Sequence, residues 1–161
     1  MKETIQQFLL VNLDFLPPEL IVIIVSAFPI LELRGGIPLA FGFGFSLSKT
    51  LSLCLFGNFL PIIPMLILFK PISTILLKYS WYNKYYSWLY NQTIKKSSNV
   101  KKYGALGLIL FTAIPLPTTG AYSASIAASL MAIPFKYSLP AIFIGVIIAG
   151  LGVGFAIFSF F

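Results

Sequence analysis

The sequence predicts an all-α integral membrane protein. The expected architecture is an inverted repeat of two re-entrant helical hairpins, each followed by a transmembrane helix, joined by an interfacial amphipathic helix. Three observations predict it. First, of 161 residues 58% are hydrophobic and only 9% charged, and mean hydropathy is +0.95. A soluble domain carries about 25% charged residues, because its surface faces water; this chain lacks the polar surface for that, so its solvent is a bilayer. Second, the uncharged stretches have the lengths of whole or half crossings. Third, two of them are interrupted by proline and glycine at matching places.

Composition also excludes functions. Histidine is absent, which removes imidazole metal sites, histidine general bases and histidine proton relays. The single cysteine, Cys54, lies in an apolar run and cannot form an internal disulfide. Net charge is +7, but the basic residues sit beside apolar segments and no nucleic-acid motif is present. Neither an enzyme nor a nucleic-acid partner is expected.

Taken in order, residues 1–18 form an N-terminal interfacial segment, in which Asn12 and Asp14 interrupt the apolar run. A full crossing by residues 5–27 is the alternative, and it would move the N-terminus to the other side. Residues 20–31 carry no charge and form a half-length arm. The segment Glu32-Leu33-Arg34-Gly35-Gly36-Ile37-Pro38 is read as the broken tip, and Leu39 to about Ser48 as the return arm. Residues 50–69 give 20 uncharged positions, one crossing at 1.5 Å per residue. With its hairpin this makes repeat 1, residues 19–69.

Residues 70–102 form an aromatic and basic linker. Tyr79, Trp81, Tyr82, Tyr85, Tyr86, Trp88 and Tyr90 crowd together, a composition that favours the headgroup level. Residues 72–92 are predicted as the interfacial helix, with Trp81, Tyr85 and Trp88 on one face, followed by a polar turn over 91–102. Repeat 2 covers 103–161. Its uncharged run 103–135 is too long for one crossing and too short for two with a loop. Pro115-Leu116-Pro117-Thr118-Thr119-Gly120 breaks it in the middle. A full crossing over 137–160 ends the chain. Pro29 matches Pro115 at an offset of 86, Lys49 matches Lys136 at 87 and Gly57 matches Gly145 at 88, which supports an internal repeat.

One hairpin plus one crossing per repeat inverts the second repeat. Lys70, Lys78, Lys84, Lys95, Lys96, Lys101, Lys102 and Lys136 then share one side, against Lys2 and Lys49 on the other. The positive-inside rule makes the linker 70–102 cytoplasmic, in a plasma membrane. Expected hairpin breaks are Pro29, Pro38, Pro115 and Pro117.

Glu32 and Arg34 are the ionisable residues deep in apolar sequence, where charge is costly and usually functional. Arg34 is a fixed fork suited to phosphate or carboxylate. Gly35 and Gly36 would let backbone N–H groups approach a ligand. Thr118, Thr119 and Gly120 would do the same from the other tip, each at a helix N-terminus. Glu32 takes up a proton when desolvated and is the candidate ion-coupling group. A buried Glu32–Arg34 pair that only pins the hairpin is the competing reading. Asn58 is expected to bond backbone freed by Pro61 and Pro64, and Gly150, Gly152 and Gly154 to allow close packing in the last helix.

Glu32-Leu33-Arg34-Gly35-Gly36-Ile37-Pro38 together with Pro115-Leu116-Pro117-Thr118-Thr119-Gly120-Ala121-Tyr122 resembles the two signature segments of the small multidrug export membrane proteins, over about residues 20–155. More distantly it is similar to the DedA and VTT membrane proteins. That resemblance implies paired re-entrant hairpins and movement of lipids, including polyprenyl-phosphate carriers, with proton or sodium coupling and no other cofactor. The expected function is a transporter or flippase for an amphipathic anion, a phosphate-bearing lipid above all. An exporter of cationic drugs and a non-transporting scaffold are the alternatives. Membrane lipids are the expected partners; chains of this size commonly form homodimers, and the sequence leaves that open.

Overall fold

The computed structural model describes residues 16–96, 103–114 and 120–160. Among the described residues it is helical, with α1 at Pro18–Ala27, α2 at Glu32–Gly42, α3 at Leu47–Leu76, α4 at Ser80–Lys96, α5 at Ala105–Ala113, α6 at Ala121–Leu130 and α7 at Phe135–Phe160. Only α3 and α7 are long and apolar enough to cross a bilayer, over Leu47–Phe69 and Phe135–Ser159. Their exposed side chains are large and apolar, among them Phe56, Leu60, Ile63 and Ile67 on α3 and Phe143, Ile144, Ile148 and Phe155 on α7. Apolar surface on that scale belongs in lipid, so this is a membrane protein. The four short helices α1, α2, α5 and α6 have 9 to 11 residues, about 14–16 Å each and half a hydrocarbon core.

The chain divides into two compact units whose boundaries fall inside the long helices rather than in the linker. Unit 1 comprises residues 1–61 and 147–161, and unit 2 comprises 62–146. In unit 1, α1 packs along α2. Ile21, Val25 and Leu31 form a buried cluster capped by Leu16, Leu39 and Phe43. Phe41 meets Phe158 edge to face at 4.9 Å. In unit 2, α6 packs on α5 and on α4. Its buried residues are Ala121, Ala124, Ser125, Ala127 and Ala128, all small and so able to admit close approach.

The same local devices occur in both units. Phe28, before Pro29, ends α1 at φ −78°, ψ 131°; Ile114, before Pro115, ends α5 at φ −77°, ψ 117°. A following proline ring disfavours the helical region for the residue before it, which favours both stops, although Ile37 before Pro38 stays helical inside α2. At the far ends of α2 and α6 the chain turns through Gly44 (φ 74°) and Ala132 (φ 54°). Phe45 N–H donates to Ala40 C=O, and Ile133 N–H to Ala128 C=O, the same six-to-one closure displaced by 88 residues. Glycines notch the long helices against the short ones. A Cβ on Gly57 would collide with the Ile23 carbonyl of α1, and one on Gly145 would lie 2.8 Å from the Ile109 carbonyl of α5.

Several expectations are corrected. The first break is residues 28–31, not the Glu32–Pro38 segment, which forms the opening turns of α2. Pro38 therefore does not break the chain: it lies inside α2 with its ring exposed. It offers no N–H to the Arg34 carbonyl but clashes with nothing outward. Pro29 is within the break, while Pro115 and Pro117 lie outside the described residues. A continuous helix over 5–27 is interrupted by Pro17, which is extended at ψ 140° ahead of Pro18; residues 1–15 lie outside the described residues. α3 continues through Lys70 to Leu76, so the linker helix starts at Ser80 rather than 72, and it runs on to Lys96 rather than turning at 91.

Candidate functional site

α2 emerges from the break with Glu32 as its first residue, at φ 48°. A side chain in the left-handed region is strained, and such residues persist where the surroundings hold them, often at functional positions. The Glu32 side chain is only 9% exposed. Arg34, two residues on in the same first turn, is half-buried. Charge in the dry interior of a membrane protein marks a functional position by default.

Three further polar side chains are sealed into unit 1. Ser26 on α1 and Thr50 and Asn58 on α3 are fully buried. Thr50, Cys54 and Asn58 recur every four residues and so share one face of α3. Ser26 Oγ faces the Cys54 thiol, a weak partner, and α2 presses on both through Gly36. Ser26 Oγ, Thr50 Oγ1 and both polar atoms of the Asn58 amide have no hydrogen-bond partner of proper geometry among the described residues. Each buried orphan costs about 1–3 kcal/mol. The expectation that Asn58 bonds backbone freed by the prolines is thereby corrected.

Unit 2 handles its buried hydroxyls differently. Thr112 Oγ1 donates to Leu108 C=O at 2.7 Å and Ser125 Oγ to Ala121 C=O at 2.7 Å. Ser138 Oγ reaches Pro134 C=O at 3.2 Å. Back-bonding of this kind uses up the hydroxyl's one donor and leaves it only as an acceptor. Thr112 is the next-to-last residue of α5, as Ser26 is of α1, so the two units differ in how they treat a buried hydroxyl at the same place in a short helix. Unit 2 does hold a cleft of about 400 Å³, lined by Leu66, Ile67 and Pro71 of α3 and by Ser129, Ile133, Phe135 and Ser138.

The remaining expected site residues divide as follows. Gly35 and Gly36 are buried and packed against neighbouring side chains. Gly35 N–H already donates to Leu31 C=O, and a Cβ there would lie 2.8 Å from Leu31 Cβ. A Cβ on Gly36 would collide with Ser26 Oγ and lie 3.0 Å from Cys54 Sγ. Gly120 is buried and extended, and its carbonyl starts α6 by accepting from Ala124 N–H. Thr118 and Thr119 lie outside the described residues. Gly150 and Gly154 pack on Leu51 of α3 within unit 1, whereas Gly152 faces open space.

Sequence reasoning missed the Glu19–Lys49 ion pair, at 2.7 Å. Lys49 Nζ also lies 3.9 Å from the centroid of the Phe45 ring. The Lys49 ammonium beside it holds the Glu19 carboxyl below its ordinary range. The two residues stand 30 positions apart, beyond any local spacing rule; a lone acid and a lone base flanking the same apolar hairpin was the available signal.

The fold and these residues together define a small helical membrane protein with a polar interior beneath a broken helix. The sequence model of the family described as "Putative small multi-drug export protein" matches residues 32–151, and the chain belongs to that family. The family is one of export proteins, a transport class rather than an enzyme class. No curated protein and no solved structure matches the chain.

Proposed function

We propose that this chain transports an amphipathic anion, a phosphate-bearing lipid above all, and that Glu32 couples the movement to a proton or sodium ion. In this reading α1–α2 and α5–α6 are re-entrant hairpins of an inverted repeat. Their short lengths, their matching pre-proline stops and their matching closing turns support it. The distant likeness to DedA and VTT proteins belongs to the same proposal.

One observation carries the site: a buried carboxylate and a half-buried guanidinium in the first turn of α2, in a unit whose other buried polar atoms lack partners. Arg34 supplies fixed positive charge, and the N-terminus of α2 adds partial positive charge. Ser26, Thr50 and Asn58 supply neutral polar groups to water or headgroup atoms. The apolar tail of a lipid stays in the bilayer, which suits so small a protein.

The family description and the burial of Glu32 favour a second reading, a proton-coupled exporter of lipophilic cations. Transport in proteoliposomes separates the two. A fluorescent lipid phosphate should move in the native protein and stop moving with Arg34→Ala. A lipophilic cation that moves instead, and moves at least as well with Arg34→Ala, overturns the anion reading. If neither moves, and both Arg34→Ala and Glu32→Gln change only thermal stability, the chain is a scaffold.

A further inference from the structure

Helix α4 is tied down on one side and left open on the other. Tyr82 is buried, and its hydroxyl hydrogen-bonds the buried Ser73 hydroxyl of α3 at 2.9 Å. Tyr86, one turn on and half-buried, lies 6.2 Å from Tyr82, ring to ring. With that face turned inward, Trp81 and Trp88 are 68% and 56% exposed. Lys84 lies between them at helical spacing and is exposed. Beside it an open cleft of about 870 Å³ is lined by Tyr79, Ser80, Trp81, Asn83, Lys84 and Ser87. The lining offers an ammonium, an amide and two serine hydroxyls, and no carboxylate. It sits over the first turns of a 17-residue helix, whose N-terminal end favours anions.

Charge elsewhere sharpens the point. Residues 33–161 contain no Asp or Glu, so the eight lysines from Lys70 to Lys136 in unit 2 have no carboxylate side chain within their own unit. Trp81 meets Tyr82 edge to face at 5.8 Å, yet both indoles stay more than half exposed, and exposed indoles beside an ammonium favour the headgroup level of a bilayer, where a lipid offers apolar and anionic surroundings together.

We propose that the Trp81–Lys84–Trp88 face of α4 and its adjoining cleft are a docking site for the phosphate headgroup of an anionic phospholipid. Lys84, Asn83 and the serines take the phosphate, and the two indoles lie against the glycerol and upper acyl region. This inference is independent of what the chain transports.

The chain contains two tryptophans, Trp81 and Trp88, both on α4, so tryptophan fluorescence of the whole protein reports this face alone. The protein is reconstituted with phosphatidylglycerol or phosphatidylcholine brominated high on the acyl chain, at equal mole fraction. One lysine near an anionic headgroup corresponds to roughly fivefold local enrichment. Brominated phosphatidylglycerol should therefore quench at several-fold lower mole fraction than brominated phosphatidylcholine. Lys84→Gln, an exposed substitution, should cut that ratio by more than half, and raised salt should shrink it further. Equal quenching by the two lipids overturns the proposal, as does a ratio indifferent to Lys84→Gln. Absence of quenching by either lipid also overturns it, because the face would then be in water or under another protein. Relief of quenching by inorganic phosphate would mean a soluble anion is bound instead, and overturns the lipid assignment.

Discussion

The glycines of the two long helices make a graded experiment, because the space available to an added methyl differs at each. On Gly152 an ideal Cβ meets nothing within 4 Å; on Gly150 it meets Leu51 at 3.5 Å, ordinary contact. On Gly145 it would lie 2.6 Å from Thr112 Cβ and 2.8 Å from the Ile109 carbonyl, the latter about 0.6 Å short of the 3.4 Å at which ordinary contact begins. On Gly57 the obstacle is the Ile23 carbonyl with its carbon at 3.0 Å. Main-chain atoms in the body of α1 and α5 cannot rotate aside, so the helices must separate. Overpacking of that kind costs about 1–3 kcal/mol. Open positions instead gain the helical preference of alanine over glycine, about 0.5–1 kcal/mol. Gly152→Ala should therefore stabilise slightly, Gly150→Ala should be near neutral, and Gly145→Ala and Gly57→Ala should destabilise. The midpoint of denaturation in mixed micelles, followed by circular dichroism, gives the order. If Gly57→Ala or Gly145→Ala matches Gly152→Ala, the notches are not contacts and the packing of short on long helices described above is wrong.

Other substitutions follow the same logic. Ala132 holds the left-handed position that Gly44 holds in the other unit; Ala132→Gly removes a penalty of about 1–2 kcal/mol while adding a backbone-entropy cost of about 0.5–1 kcal/mol. It should raise the same midpoint, and Gly44→Ala should lower it. Asn58→Leu removes an unpartnered buried amide, so it should leave stability unchanged or raise it by up to about 1–3 kcal/mol, yet abolish transport; loss of both would make Asn58 merely structural. Because the folded-state pKa of Glu19 is depressed, its pair with Lys49 contributes fully above the unfolded carboxylate value of 4.5 and is lost as pH falls through the lowered folded value. Glu19→Gln should flatten the acid side of the stability profile, read as denaturation midpoint against pH.

Composition and spacing were enough to place this chain in a membrane and to find the two long apolar helices among its described residues. Sparse charge leaves no other solvent, and a helix must satisfy its own backbone over a known thickness. A break near Pro29 was legible for a local reason, because a pyrrolidine ring biases the residue before it away from the helix, although the first arm ends at Ala27 and not at 31. Pro38 misled because the rule runs only one way. In a dry environment a lost backbone hydrogen bond is costly, so a helix carries an outward-facing proline rather than unwinding around it. The glycines after Arg34 are ambiguous in the sequence, since local sequence does not distinguish a backbone bared for a ligand from one bared for a neighbouring helix. That distinction, the lack of hydrogen-bond partners for Thr50 and Asn58, the thiol that faces Ser26, and the pairing of Glu19 with Lys49 all depend on which helices come within a few ångströms of each other. Distances between residues far apart in the chain are set by packing, and packing is decided only when the whole chain has folded.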